Sequence, residues 1–270
     1  LSLAAAGIFA IGTTPTGPEH ARSLMPSMLP YAKAIIAAVG ILLVMLLAGT
    51  VDREEEAKIE KGRAFDPLRL NSGEFYSFFL FSLTGLMLTA SADTLIWLFL
   101  ALELTSLPTY VMVTISTARS NAREAGVKYF FLGALGAAIF LYGFTLIYGG
   151  TGSVHLTEIH HAITTQMAGE GLNPITLGGL LLAIIGIGFK IAAVPMHYYT
   201  ADVYQGAATS VTAMLAFVPK TAGFLALMLI CSTIGWHFGE TGQGLPESVR
   251  LLLWVMAVMS MTLGNVLALL

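Results

Sequence analysis

Residues 207–234 read AATSVTAMLAFVPKTAGFLALMLICSTI. At 1.5 Å of rise per residue, a helix of this length crosses the roughly 30 Å hydrocarbon core of a bilayer. Its only charge is Lys220, which lies about 20 Å from either end and beyond the reach of a snorkelling side chain. Apolar runs of similar kind fall at 30–50, 75–92, 93–115, 122–149, 176–205 and 248–270, behind a shorter stub at 1–12. The pattern predicts an all-α, polytopic transmembrane helix bundle with seven spans plus an N-terminal stub. Composition agrees: 56% of the 270 residues are hydrophobic and 11% charged, with a mean hydropathy of +0.79, whereas soluble domains carry about 25% charged residues.

The same figures exclude several functions. A net charge of −3 leaves no basic face for nucleic acid, whose backbone demands clustered cations. Cys231 stands alone, so neither an internal disulfide nor a multi-cysteine metal or iron–sulfur site can form within the chain. No Walker loop, dinucleotide fingerprint or His/carboxylate cluster at ligand spacing is present, so no catalytic, cofactor-binding or metal residue is assigned. At the ends, Leu1–Ile11 is only about half of the ~20 residues a span needs, and the helix beginning near 248 still runs at Leu270. The expectation is a piece cut at both ends.

Loops rich in Lys and Arg remain cytoplasmic. Loop 51–74 holds Arg53, Lys58, Lys61, Arg63 and Arg69, and loop 116–123 holds Arg119 and Arg123, while 150–175 and 235–247 hold no Lys or Arg before Arg250. The alternation puts 51–74 and 116–123 inside, and 13–29, Ser91–Asp93, 150–175 and 235–247 outside. The acidic run Asp52–Glu60 reads as a solvated loop or a short amphipathic helix. Glycines within the spans, among them Gly133, Gly136, Gly178, Gly179, Gly186 and Gly188, predict close backbone approach.

Four ionisable residues sit within spans: Glu103, Lys128, Lys190 and Lys220. Each costs about 2.5–3.5 kcal/mol at bilayer depth on insertion scales, so they must be paired or hydrated. Lys128, about two turns into its helix, has two readings: snorkelling to the cytoplasm, or membership of an ion path. Pro108, Pro195 and Pro219 lie beside the other three and are expected to break or kink their helices, freeing the carbonyls of Leu104, Ile191 and Leu215 to serve the adjacent charge. The run 176–205, too long for one straight span, is read as broken near Pro195. His197 after the break is either a proton shuttle or an ordinary hydrogen-bonded residue. Burial disfavours a charged lysine and a nearby carboxylate favours it, so making or breaking a Glu–Lys contact moves a proton.

Three segments carry a resemblance: FYSFFLFSLTGLMLTASADTLIWLFLALELTSLPTYV (75–111), REAGVKYFFLGALGAAIFLYGFTLIYGGTG (123–152) and GIGFKIAAVPMHYYTADVYQGAATSVTAMLAFVPKTAGF (186–224). With the closing GNVLAL (264–269), they resemble the subunit N family of proton-translocating NADH:quinone oxidoreductase, respiratory complex I, bacterial relatives of mitochondrial NADH dehydrogenase subunit 2 and one of its three antiporter-like subunits. The resemblance implies a fold of inverted five-helix repeats, with N-terminal helices and a cytoplasmic loop in 1–74, a first repeat in 75–234, and the start of a second in 248–270. It implies a proton path over Glu103, Lys128 with Glu124, Lys190 with His197, and Lys220. It also implies a multi-pass home in the bacterial inner membrane among other membrane subunits, neighbouring antiporter-like ones especially. NAD, FMN, iron–sulfur clusters and quinone (ubiquinone) belong on this reading to partner subunits, with no cofactor and no redox chemistry on this chain. Relatives read PFHxWxPDVYxGAPTPV where this chain has PMHYYTADVYQGAATSV. Tyr199, Ala201, Ala208 and Ser210 replace family Trp or Pro, and a more regular entry into the following helix is expected. Two other readings remain: an Mrp-type sodium/proton antiporter or membrane-bound hydrogenase subunit, marked by sodium-dependent transport without NADH oxidation, and a structural subunit whose charges only fix packing.

Overall fold

A computed structural model describes residues 29–60, 72–116, 120–169, 171–235 and 245–269. The stub at 1–12, nearly all of loop 13–29, and Lys61, Arg63, Arg69 and Arg119 lie outside the described residues. The helices are α1 (Leu29–Glu60), α2 (Ser72–Ala90), α3 (Leu95–Ile115), α4 (Ser120–Thr151), α5 (Leu156–Ala168), α6 (Pro174–Ile191), α7 (Thr200–Gly206), α8 (Thr209–Thr233) and α9 (Glu247–Leu269). Among the described residues no strand occurs; one isolated antiparallel bridge joins Thr94 to His155.

Six helices are long and apolar enough to cross a membrane: the Pro30–Leu47 part of α1, α3, α4, α6, α8 and α9. This corrects the expected seven. The helix that falls short is α2, whose 19 residues open on Ser72, Gly73 and Glu74 and include Ser77, Ser82, Thr84 and Thr89. Three of those hydroxyls fold back onto their own helix, Ser77 to Gly73, Thr84 to Leu80 and Thr89 to Gly85 at 2.7–2.9 Å. Two further expectations change. Of the two readings of Asp52–Glu60 the helix is found, but as a continuation of α1 rather than a separate short element, as the helix-forming EEEAKIE run allows. Within 150–175 lies α5, whose Leu156, Ile159 and Ile163 are buried at helical spacing on one face.

The tightest seam joins α4 to α6. A Cβ on Gly143 would lie 2.5 Å from the Ala183 nitrogen, and one on Gly179 would lie 2.7 Å from the Ile147 nitrogen, so these helices meet backbone to backbone. Around the seam, Leu83, Leu86, Leu98, Leu102, Met112, Phe140 and Phe189 form the buried core, while Phe81, Leu100, Phe131, Tyr142 and Trp254 face outward. Outward apolar side chains suit a lipid solvent and would be unusual in water.

Helix ends group as the charge alternation predicts. Leu95 N donates to Val154 O and Leu156 N to Asp93 O, both at 2.9 Å, and His160 Nδ1 lies 3.0 Å from Thr233 O. Residues 91–95, 153–160 and 233–235 therefore share one end of the bundle. At the other, Ala208 N donates to Ser116 Oγ at 3.2 Å and Gly206 abuts Asn121 and Ala125.

The long span is interrupted where expected. α6 stops at Ile191, four residues before Pro195, because a proline nitrogen cannot donate to the carbonyl at that position. Ala192 takes the left-handed conformation at φ 56°, and Ala193 N returns to Gly188 O at 2.9 Å, closing the helix end. The Val194–Pro195 peptide is cis. After α7, Ala207 and Ala208 are extended, with ψ of 159° and 146°. The entry into α8 is thus a second interruption, and the more regular connection expected there is not found. Pro108 and Pro219, in contrast, do not break their helices: α3 and α8 run through them. Around Pro108 hydroxyls bond nearby backbone carbonyls, Ser82 donating to Thr105 O at 2.7 Å and Thr109 to Ser106 O at 2.6 Å. Pro219 is buried, as are Val218 and Ala222 beside it on the same helix.

Candidate functional site

Glu103 and Ser106 are one turn apart on α3 and point at the last turn of α6, where Lys190 stands. Lys190 Nζ lies 3.0 Å from Glu103 Oε1 and 2.5 Å from Ser106 Oγ. Phe140 of α4 offers its ring 5.7 Å away. Lys190 is only 4% exposed, so its ammonium depends on these partners rather than on bulk water. Breaking one partner of such a pair strands the other charge. The carboxylate, the hydroxyl and the C-terminal end of α6 all favour the charged lysine, and burial opposes it.

Lys220 approaches the same break from α8. Its Nζ donates to Ile191 O at 3.3 Å, the carbonyl that Pro195 deprives of a helical donor. The freed carbonyl does serve an ionisable group, though Lys220 rather than the adjacent Lys190. Gly223, one turn on, makes the approach possible: a Cβ there would lie 2.9 Å from the Lys190 Cβ and 2.7 Å from an Ile191 methyl. Beyond Lys220, the Tyr204 ring of α7 lies 5.9 Å from Nζ.

The structure therefore brings Glu103, Lys190 and Lys220 to one helix break, and it does not add Lys128 to them. Lys128 Nζ bonds Asp202 Oδ2 at 2.7 Å and Glu124 Oε1 at 2.9 Å, with nearly half of its side chain exposed. His197 lies between Pro195 and α7 with its Nδ1 buried and without a hydrogen-bond partner among the described residues, as is the Tyr204 hydroxyl. Buried polar atoms of this kind ordinarily bond water or a neighbour. An aromatic stack of Tyr129, Phe189 and Tyr199 walls the break, with the Phe189–Tyr199 centroids 4.3 Å apart and Tyr199 Oη donating to Phe189 O at 2.8 Å. Ser106 and Ser260, whose Oγ accepts from Val194 N at 2.9 Å, were not singled out by sequence, and Asp202, within the broken 176–205 run, was given no role by it. The one available signal for Ser106 is its i+3 spacing from Glu103. Among the described residues no group of three or more His, Cys, Asp or Glu is placed to hold a metal.

Residues 92–270 match the family described as NADH:quinone oxidoreductase/Mrp antiporter, transmembrane. Over 269 residues the chain is 35% identical to NADH-quinone oxidoreductase subunit N of Rubrobacter xylanophilus, covering 98% of this chain and 50% of the relative. Over 204 residues it is 38% identical to NADH-quinone oxidoreductase subunit N 2 of Koribacter versatilis, covering 74% of this chain and 38% of the relative. Its fold matches a chain of respiratory complex I from Thermus thermophilus with a TM-score of 0.58 at 30% identity, covering 99% of this chain and 57% of the other. The chain thus spans half or less of the length of these curated relatives.

Proposed function

Because this chain belongs to the NADH:quinone oxidoreductase/Mrp antiporter transmembrane family, we propose that it acts as a proton-translocating, multi-pass membrane subunit, of the subunit N kind, of an NADH:quinone oxidoreductase in a bacterial inner membrane. The observation that carries the reading is the buried Lys190, bonded to Glu103 at 3.0 Å beside a helix break whose free carbonyl receives Lys220. In this reading a proton enters from the cytoplasmic side, resides on Lys190 or Lys220, and passes between them at the break. His197 lines the way between α6 and α7. Loss of the Glu103 contact favours neutral Lys190 and release of its proton, and re-forming the contact favours uptake.

Residues 75–234 form, on this proposal, one complete five-helix repeat, and 248–270 begins a second that receives the proton. Redox chemistry belongs to partner subunits carrying flavin, iron–sulfur clusters and quinone, and this chain binds none of them. Its neighbours are other membrane subunits, and quinone reduction elsewhere biases the charge on Glu103 and the two lysines.

The test is Glu103→Gln and Lys220→Ala in the full-length chain, assembled in its complex in inverted membrane vesicles. Proton uptake per NADH oxidised is expected to fall several-fold in both while assembled complex remains detectable. Undiminished pumping at normal NADH oxidation would overturn the proposal.

A further inference from the structure

Resting on that reading, we propose that Asp202 is a positioning residue: through its ion pair with Lys128 it clamps α7 onto α4, and so holds the Tyr204 ring against Lys220. The helix α7 has seven residues, too few to be stable alone, and extended or turn residues flank it on both sides. Its place is therefore set by what it touches. Asp202 and Gly206 stand four residues apart and share one face. That face meets α4 along Asn121, Ala125 and Lys128, which also recur on one face of their helix at spacings of four and three. At one end of this contact Gly206 rests on Asn121 and Ala125, where a Cβ would lie 2.9 Å from the Asn121 carbonyl oxygen and 2.5 Å from the Ala125 Cβ. At the other end Asp202 Oδ2 lies 2.7 Å from Lys128 Nζ, and Glu124, one turn before Lys128, aims the ammonium at 2.9 Å.

Tyr204 is two residues from both contact points, which at about 100° per residue turns it to the opposite side of α7. There its ring lies 5.9 Å from Lys220 Nζ, and its carbonyl accepts from Thr212 of α8 at 3.4 Å. The clamp on α4 and the contact with Lys220 are thus two faces of one short rigid helix. An exposed pair adds little to the stability of a fold. Removing it leaves the bundle intact and frees α7 to drift, which changes the surroundings of Lys220. Lys128 on this account holds α7 in place and carries no proton.

The experiment uses the assembled complex in inverted vesicles and reads protons moved per NADH oxidised, normalised to assembled complex. Asp202→Asn, which keeps the shape, is expected to lower the yield at least threefold with assembly preserved, whereas Asp202→Glu, which keeps the charge, retains more than half. The double exchange of Asp202→Lys with Lys128→Glu is expected to recover at least half of what either single change loses, since the introduced lysine then faces two carboxylates. Tyr204→Leu is expected to reproduce the loss with the ion pair intact. Normal yield in Asp202→Asn, an exchange no better than its single changes, or normal yield in Tyr204→Leu would each overturn the clamp. Normal pumping in Glu103→Gln would instead overturn the function on which it rests.

Discussion

Lys190 makes both of its side-chain hydrogen bonds to α3, with Glu103 at 3.0 Å and Ser106 at 2.5 Å, and that asymmetry separates folding from function at this residue. Glu103→Gln leaves a buried lysine facing a neutral amide, a loss of about 3–5 kcal/mol if the lysine stays charged. The double change Glu103→Leu with Lys190→Met removes both charges together, which is often neutral or stabilising. The double variant is therefore expected to unfold, in detergent, within about 1 kcal/mol of the parent or above it while pumping nothing; a stable variant that still pumps would remove the pair from the path. Ser106→Ala is expected to cost about 1.5–3 kcal/mol, the range for a hydrogen bond to a charged group, seen as a lower thermal midpoint. Glu103, Lys190 and Lys220 were legible in the sequence because charge is rare and expensive in an apolar span. Ser106 was not, because it bonds a backbone carbonyl as Ser82, Thr105 and Thr109 around it do, and nothing in the sequence marks it as the one that also faces an ammonium. Lys128 had two readings, and only the position of α7, seventy-four residues away along the chain, shows what it touches.

At the scale of the element, three prolines of similar appearance behave differently, and the difference lies in their surroundings. Pro195 follows a glycine-rich helix end whose residues 192–199 form no regular helix, so the chain can turn away. Pro108 sits in a buried, hydroxyl-rich stretch of α3 between Ser106 and Thr109, and Pro219 in a buried stretch of α8. Sequence shows the proline but not its burial within the bundle, which is why all three read as breaks or kinks and one is a break. The turn itself carries strain that sequence does not reveal: Ala192 holds φ at 56°, where a Cβ costs roughly 1–2 kcal/mol. Ala192→Gly relieves that strain while adding about 0.4–1 kcal/mol of unfolded-state freedom. The net expectation is about 0.5–1 kcal/mol of stabilisation, read as a higher thermal midpoint. On the α4–α6 seam, Gly143→Val places its side chain against the Ala183 and Gly179 backbone, which cannot yield as a side-chain end can. A loss of at least about 1–3 kcal/mol follows, measured as the fraction of chain recovered in assembled complex.

For the whole molecule, the arrangement of helix ends is the property that sequence and structure reach independently. Counts of Arg and Lys assign sides to loops, and backbone contacts group Asp93, Val154 and Thr233 at one end and Ser116, Asn121 and Ala208 at the other. The two partitions agree for the helix ends between residues 91 and 235. α9 joins this frame through Ser260 Oγ, which accepts from Val194 N, while Leu251, Trp254, Met261 and Leu267 face outward. Thiol labelling can test the partition against a clean background, because the chain's one cysteine, Cys231, is buried. His161 at one end and Gln205 at the other are both exposed. A membrane-impermeant maleimide is expected to modify His161→Cys in intact cells and Gln205→Cys only in inverted vesicles, since the basic residues Arg119 and Arg123 of loop 116–123 place the second end in the cytoplasm. Modification of both from one side would mean that the bundle does not cross the membrane in the order its helix ends dictate, and the route drawn from the cytoplasmic face to Lys190 and Lys220 would lose its starting point.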